Sequence, residues 1–319
     1  MIYRRFWTVS LNKEKNFVSA VVYLYNNERE VGSFLNTVNN LLKENFEKYE
    51  IVCVNDCSTD GTVKAVETFC EQNSVKSLTV INTSFFQGVE SAMVAGVDIS
   101  IGDFVFEFDS PVVDYDADMI MAVYRKSLEG NDIVFAVPQG ASRFTSKLFY
   151  SLFNRFSDMQ YKIKTQRFSI ISRRGINRVK SMGVKTVYRK AVYASCGLPV
   201  ADYDYSPLPA EKTGDSQKAV KQELALNSLI LFTDIGYKIS VTLSVIMACV
   251  LMLAGVYTVA VFLSANPVAG WTTTMRVTSL GFFGLFVLFA FVLKYLSLIL
   301  NLVFTRKQYV VESIRKITK

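Results

Sequence analysis

Carboxylates crowd one short stretch of this chain, at Asp109, Asp114, Asp116 and Asp118, directly after the apolar run Phe104–Phe108. An apolar strand that ends on an acid suits an open α/β sheet, where ligands sit beyond the carboxyl ends of the strands. A carboxylate there is placed to hold a divalent metal ion against a phosphorylated substrate. The plainer alternative is an acidic strand-to-helix turn in which Asp116 caps the next helix. A second polar turn, Asn55-Asp56-Cys57-Ser58-Thr59-Asp60-Gly61-Thr62, follows the apolar segment Glu50–Val54. Basic residues gather later, at Arg143, Lys147 and Arg155, then at Arg167, Arg173, Arg174, Arg178, Lys180, Arg189 and Lys190. They would line a phosphate site or face anionic lipid, with ordinary solvated surface as the alternative for any single one. The 319 residues include no histidine, which excludes histidine triads, histidine bases and histidine-ligated metals. The five cysteines have no paired spacing and read as reduced thiols in a cytosol-facing domain.

The elements that must position these groups alternate. Phe17–Tyr25 reads as a buried strand, and Asn27 and Glu30 are spaced like a capping box ahead of a helix with Val31, Phe34, Leu35, Val38, Leu41 and Leu42 on one face. Glu50–Val54 is a second strand, followed by a helix burying Val63, Val66, Phe69 and Cys70. Leu78–Ile81 is a third, leading through Gly88 to a helix over Val89–Val97. Phe104–Phe108 is the fourth and Asp132–Val137 the fifth. Strands alternating with helices predict a mostly parallel sheet with helices on both faces. Arg143–Asp158 has the pattern of an amphipathic helix.

Half of the residues are apolar, and most of the excess lies between Ile239 and Phe304. Ile239–Leu263 carries no charge and exceeds the roughly 20 residues needed to span a bilayer. Val277–Leu293 is also uncharged, with Lys294 able to snorkel to the interface. Between them, Ser264–Met275 has no charge and offers Trp271 as an interfacial anchor, while Lys238, Lys294, Arg306 and Lys307 flank the other ends. By the positive-inside rule both termini are cytosolic. The expected organisation is a cytosolic domain over 1–210, a linker and interfacial amphipathic helix over 211–238, a transmembrane hairpin over 239–304 and a cytosolic tail over 305–319. The net charge of +7 then points to a membrane surface rather than to nucleic acid. Helices of this kind also leave apolar surface for self-association as a homo-oligomer.

Three stretches, VVYLYNNERE at Val21–Glu30, VNDCSTDGT at Val54–Thr62 and EFDSPVVD at Glu107–Asp114, resemble in order and spacing the donor-site motifs of family 2 glycosyltransferases. The likeness is to the branch of dolichol-phosphate mannose synthases and bactoprenol glucosyltransferases. TSKLFYSLFNRFSD at Thr145–Asp158 and YVVES at Tyr309–Ser313 are similar to further segments of that branch. The resemblance implies a GT-A domain followed by a two-helix membrane hairpin in the plasma (inner) membrane. It implies an inverting transfer of sugar from a nucleotide-sugar donor to a polyprenyl-phosphate acceptor at the cytosolic face. Tyr23, Tyr25, Glu28, Asn55 and Asp56 would bind the donor, and Arg143 and Lys147 the acceptor phosphate. Asp109 and Asp114 would be catalytic, with Asp109 holding Mg²⁺ or Mn²⁺.

The sequence departs from the family at the chemistry. The usual Asp-x-Asp pair reads Asp109-Ser110-Pro111, Asn55 replaces the first acid of the second motif, and Cys57 replaces the glycine after it. Glu107, two residues before Asp109 and on the same strand face, or Asp114 from the loop, would compensate for the missing acid. A second reading follows from the same departures: a catalytically silent homologue that scaffolds or regulates envelope-polysaccharide synthesis.

Overall fold

Side chains alternate along the first two strands between two separate apolar layers, the mark of strands buried on both faces. In β1 (Val18–Leu24), Val18, Ala20, Val22 and Leu24 enter one layer and Val21 and Tyr23 the other. β1 runs parallel to β2 (Tyr49–Asn55), with Val18 opposite Tyr49. The computed structural model describes residues 13–73, 75, 77–140, 150–151, 153–155, 161–183, 188–208, 235–264, 270–303 and 309–317. Among them, β3 (Leu78–Thr83), β4 (Phe104–Phe108), β5 (Ile133–Pro138), β6 (Phe168–Ser172), β7 (Val200–Tyr205) and β8 (Val311–Ile317) complete an eight-stranded sheet. Its order is β7-β5-β6-β4-β1-β2-β3-β8.

The helices cover both faces, as the alternating pattern predicts. α1 (Val31–Asn45), α2 (Thr62–Gln72) and α4 (Asp118–Leu128) share one apolar layer with the sheet. α3 (Val89–Ile99), α5 (Arg173–Ser181) and α6 (Arg189–Ser195) share the other. The periodic residues Val31, Phe34, Leu35, Val38, Leu41 and Leu42 are all buried. The capping box is not formed. Asn27 Oδ1 accepts from the Tyr25 amide at 2.9 Å and its carbonyl takes the Glu30 and Val31 amides, so the turn closes on itself. Asp116 behaves as a cap in part, accepting the Asp118 amide at 3.3 Å.

The central strands β1 to β4 are parallel, whereas β6 pairs antiparallel with both β4 and β5, and β8 antiparallel with β3. The sequence pattern gave neither β6 nor β7. The segment expected as a tail at 305–319 carries β8, an edge strand of the same sheet. Of the helix expected at Arg143–Asp158, residues 150–151 and 153–155 are described and are helical; the interfacial helix expected within 211–238 lies almost wholly outside the described residues.

The described residues fall into two compact units, the sheet with α1–α6 and a second unit containing α7 (Ile235–Ser264) and α8 (Trp271–Val303). Within the second unit α7 and α8 pack on each other, with the Tyr257 and Trp271 rings edge to face at 6.4 Å. Trp271, expected in the connecting loop, is the first residue of α8. Among the described residues one helical segment, Thr273–Leu296, is long and apolar enough to cross a membrane, and Cys249–Val261 in α7 is a shorter apolar stretch.

Gly96 sets how closely α3 approaches the sheet. A Cβ there would overlap Val21 Cγ1 and lie 2.7 Å from Val54 Cγ2, both side chains of fully buried residues. Gly96→Ala is expected to lower stability by about 1–3 kcal/mol through overpacking, measured by urea unfolding followed by circular dichroism. An unchanged midpoint would show that α3 has room to shift.

Candidate functional site

The three motif turns meet at the carboxyl ends of β1, β2 and β4, the edge where an open α/β sheet takes ligands. The first two turns are laced together. Asn26 Oδ1 accepts the Thr59 amide at 2.8 Å, the Asn27 amide donates to Thr62 Oγ1 at 2.8 Å, and the Glu28 amide donates to Asp60 at 3.1 Å. Glu28 Oε2 in turn accepts the Gly61 amide at 3.1 Å, and a Cβ on Gly61 would sit 2.6 Å from that carboxylate. Tight turning puts Asn26 and Cys57 in the left-handed region, at φ 53° and 58°. Asn tolerates that conformation through its short polar side chain, whereas cysteine lacks one and glycine would adopt it without strain.

Asp56 is fully buried and its acceptor capacity is filled from within. Oδ1 takes Thr83 Oγ1 at 3.0 Å and the Gln87 amide at 2.9 Å; Oδ2 takes the Tyr23 hydroxyl at 3.1 Å and the Gly88 amide at 2.8 Å. Asp56 and Tyr23, expected at the donor, therefore staple the loop after β3 to the end of β2. Asn55 is also buried, donating to Asn82 Oδ1 at 2.9 Å. Tyr25 and Glu28 remain accessible. The Tyr25 ring lies 4.7 Å from that of Phe86, a partly exposed neighbour that the motif reading did not include. Glu28 lines a cleft of about 760 Å³ between α1 and α2, which does not include Asp109.

Asp109 sits in a chain of charges. The Arg189 side chain is 2% exposed; its backbone amide and Nε donate to Glu90 Oε2 at 2.8 and 3.1 Å, and Nη2 donates to Asp109 Oδ1. Its Nη1 is 3.9 Å from Glu107 Oε1. Lys190 Nζ lies 3.2 Å from the other oxygen, Asp109 Oδ2. Burial pushes the Asp109 carboxyl up, but the Lys190 and Arg189 charges outweigh it and hold its pKa below the usual carboxylate value. Burial leaves Glu107 above the ordinary value despite Arg189 and the hydroxyl of Tyr193, which donates at 2.6 Å. Glu107 and Asp109 do face the same way, as their spacing predicts, since both reach Arg189. Arg189, Lys190, Glu90 and Tyr193 carry this cluster, and only the two basic residues had a signal in the sequence.

Asp114, expected to be catalytic, is turned to other partners. It is 4% exposed and held by Arg167, whose Nε is 2.9 Å from each oxygen, and by the Tyr205 hydroxyl at 3.0 Å. The rest of the basic segment is likewise engaged within the fold. Arg173 donates to the Ser100 and Gly102 carbonyls, Arg174 pairs with Asp132, Arg178 donates to the Cys196 carbonyl and Lys180 pairs with Asp98 at 2.9 Å. Arg143 and Lys147 lie outside the described residues. Among the described residues no three His, Cys, Asp or Glu side chains gather as a metal group. With both Asp109 oxygens already facing cations, these residues do not fit a resident divalent ion.

The Asp56 staple has a measurable weight. Asp56→Ala would take the acceptor from the Gln87 and Gly88 amides and the buried Tyr23 hydroxyl, while Thr83 Oγ1 keeps the Phe85 carbonyl at 2.9 Å, and is expected to cost about 3 kcal/mol at ~1–3 kcal/mol per unsatisfied buried group. Thermal and urea unfolding check this, with Glu28→Ala as the accessible control; equal losses in the two would remove the distinction between staple and ligand-facing acid.

Comparison with known proteins places this architecture. The protein is 28% identical over 186 residues to an uncharacterized glycosyltransferase of Synechocystis sp., matching 56% of this chain and 58% of that one. It is 25% identical over 270 residues to the prophage bactoprenol glucosyl transferase homolog of Escherichia coli, matching 81% of this chain and 86% of that one. Among solved structures, glucosyl-3-phosphoglycerate synthase from Mycobacterium tuberculosis, in complex with Mn²⁺, UDP and phosphoglyceric acid, superposes with a TM-score of 0.50 at 15% identity. That match covers 67% of this chain and 78% of the synthase, and establishes the GT-A-like fold. The profile of glycosyl transferase family 2 matches residues 19–194, more than half of the sequence, and the chain belongs to that family.

Proposed function

We propose that this protein is a membrane-bound inverting glycosyltransferase that moves a sugar from a nucleotide-sugar to a polyprenyl phosphate at the cytosolic membrane face. The observation that carries the reading is the convergence of the three motif turns on one sheet edge, with Tyr25, Glu28 and Phe86 accessible there and Asp109 on the adjoining strand. The Tyr25–Phe86 pair offers aromatic surface to a nucleotide base, and Glu28 an acceptor to its polar groups. The bactoprenol glucosyl transferase named among the relatives supports a lipid-phosphate acceptor. Such an acceptor is already anionic at neutral pH, so the site must position it more than deprotonate it. In the transfer, an acceptor phosphate oxygen forms the bond to the anomeric carbon as the bond to the donor diphosphate breaks. The leaving electron pair stays on the diphosphate, and one negative charge passes from acceptor to leaving group without a proton changing hands. A Mg²⁺ or Mn²⁺ ion expected at Asp109 would have to displace Lys190 and Arg189 from that carboxylate.

The strand order supports a hairpin rather than a single crossing. β8 follows α7 and α8 in the chain yet hydrogen-bonds to β3, in the sheet built by the strands that precede them. A chain that crossed a bilayer once could not return to that sheet, so the number of crossings is even. Thr273–Leu296 is long enough to cross, and in this reading the uncharged run Ile239–Leu263 of α7 serves as the second crossing.

Two measurements check this reading. Nucleoside diphosphate release from a panel of UDP- and GDP-sugars in detergent should depend on added polyprenyl phosphate and fall about a hundredfold in Asp109→Asn. Neither release nor nucleotide binding across the panel would overturn it in favour of the scaffold reading. In intact cells, and in a variant whose five native cysteines are replaced by serine or alanine, a membrane-impermeant maleimide should label Ala269→Cys directly and Glu312→Cys only after permeabilisation. The reverse pattern, or equal labelling, would sink the topology.

A further inference from the structure

Every carboxylate around the carboxyl end of β4 already has a partner. Glu90 holds the Arg189 amide and Nε, Glu107 holds the Tyr193 hydroxyl and Ser169 at 3.1 Å, and Asp114 holds Arg167 and Tyr205. Asp109 faces Arg189 with one oxygen and Lys190 with the other. The position two residues on, where a second acid would complete a metal pair, is Pro111, which is buried. A divalent ion on Asp109 would therefore stand beside a guanidinium that is 2% exposed and cannot withdraw, because α3 and β4 both hold it. Two cationic centres that close, with little water between them, repel strongly.

The two basic residues differ in freedom. Arg189 is fixed by Glu90 on α3 and by Glu107 and Asp109 on either side of the end of β4. Lys190 is 14% exposed beside an Asp109 that is 26% exposed, and its ion-pair partner is Asp109. Its ammonium, on a flexible stem, can leave Asp109 for an arriving anion while Asp109 keeps Arg189 as counter-ion.

We propose that Lys190, backed by the Arg189–Asp109 pair, takes the place of a divalent metal ion at the donor diphosphate, so that this protein binds and turns over its nucleotide-sugar without metal. The proposal rests on the glycosyltransferase reading and deepens it. As the bond from the anomeric carbon to the diphosphate breaks, its electron pair remains on the diphosphate oxygen, and the Lys190 ammonium faces the charge that accumulates there. The acceptor phosphate oxygen supplies the pair for the new bond, and Lys190 stays protonated throughout. Lysine is suited to this as a compact point charge, where the planar guanidinium of Arg189 is hydrogen-bonded to Glu90 and Asp109, with its buried Nη1 3.9 Å from Glu107.

The test uses the full-length protein in detergent. Calorimetric titration with UDP and with GDP is run in EDTA and again in Mn²⁺, and bound Mn²⁺ is counted by electron paramagnetic resonance with and without nucleotide. The expected result is nucleotide binding within twofold in the two conditions and no stoichiometric Mn²⁺ in either. Lys190→Met should weaken nucleotide binding at least tenfold and Lys190→Arg restore most of it, with a thermal melt confirming that each variant folds. Binding that drops more than tenfold in EDTA, or one Mn²⁺ held per chain, overturns the proposal alone. Failure of both nucleotides to bind in either condition overturns the glycosyltransferase reading together with it.

Discussion

A guanidinium as deeply buried as that of Arg189 must be neutralised on several sides, because an uncompensated charge in a protein interior is far more costly than the pair it belongs to. Glu90 from α3 and Glu107 and Asp109 from β4 meet that demand, and in doing so fix α6 against the sheet. The start of α6 cannot move without breaking the orientation of Asp109. The geometry of the acid at the end of β4 is thus set from the opposite side of the sequence motif that contains it. Three carboxylates around one arginine leave an excess of negative charge, and Lys190, beside Asp109, offsets part of it.

The edge where the first two motif turns meet follows a related logic with neutral groups. Asp56 gathers two backbone amides and two hydroxyls, drawing the loop after β3 against the end of β2 and bringing Phe86 beside Tyr25. Glu28 and Asp60 bridge the turns after β1 and β2. Among the acids of the first two motifs, Asp56 is buried and holds the turns from below, while Glu28 stays exposed at the surface. The same residue type is buried in the framework or left at the surface according to how many protein donors it meets.

Much of the framework was legible because its signals are local. The apolar runs behind β1 to β5 and the helical period of α1 needed no distant partner to be seen. β6 was missed because Phe168–Ser172 is five residues long and lies between Arg167 and Arg173, so the arginines dominated its pattern. β7 alternates Asp and Tyr, which an edge strand tolerates on its open side. At the site, the three motifs were visible but their partners were not. Arg189 meets Asp109 across 80 positions of sequence, and the basic segment that looked like one patch is dealt out to Asp114, Asp132, Asp98 and several carbonyls. Density of charge is readable from sequence; which counter-charge each residue meets is decided by the tertiary fold.

The placement of β8 has a consequence for how the molecule is made. The strand leaves the ribosome after α7 and α8, yet it covers the outer edge of β3. Throughout synthesis of the helical segment the nascent sheet presents β3 as an open row of amides and carbonyls, the kind of edge on which chains aggregate. Completion of the sheet thus waits on synthesis of the helices, so a chain interrupted within α7 or α8 is left with an open edge at β3. Folding of the sheet is thereby coupled to synthesis of the apolar helices by one short antiparallel strand.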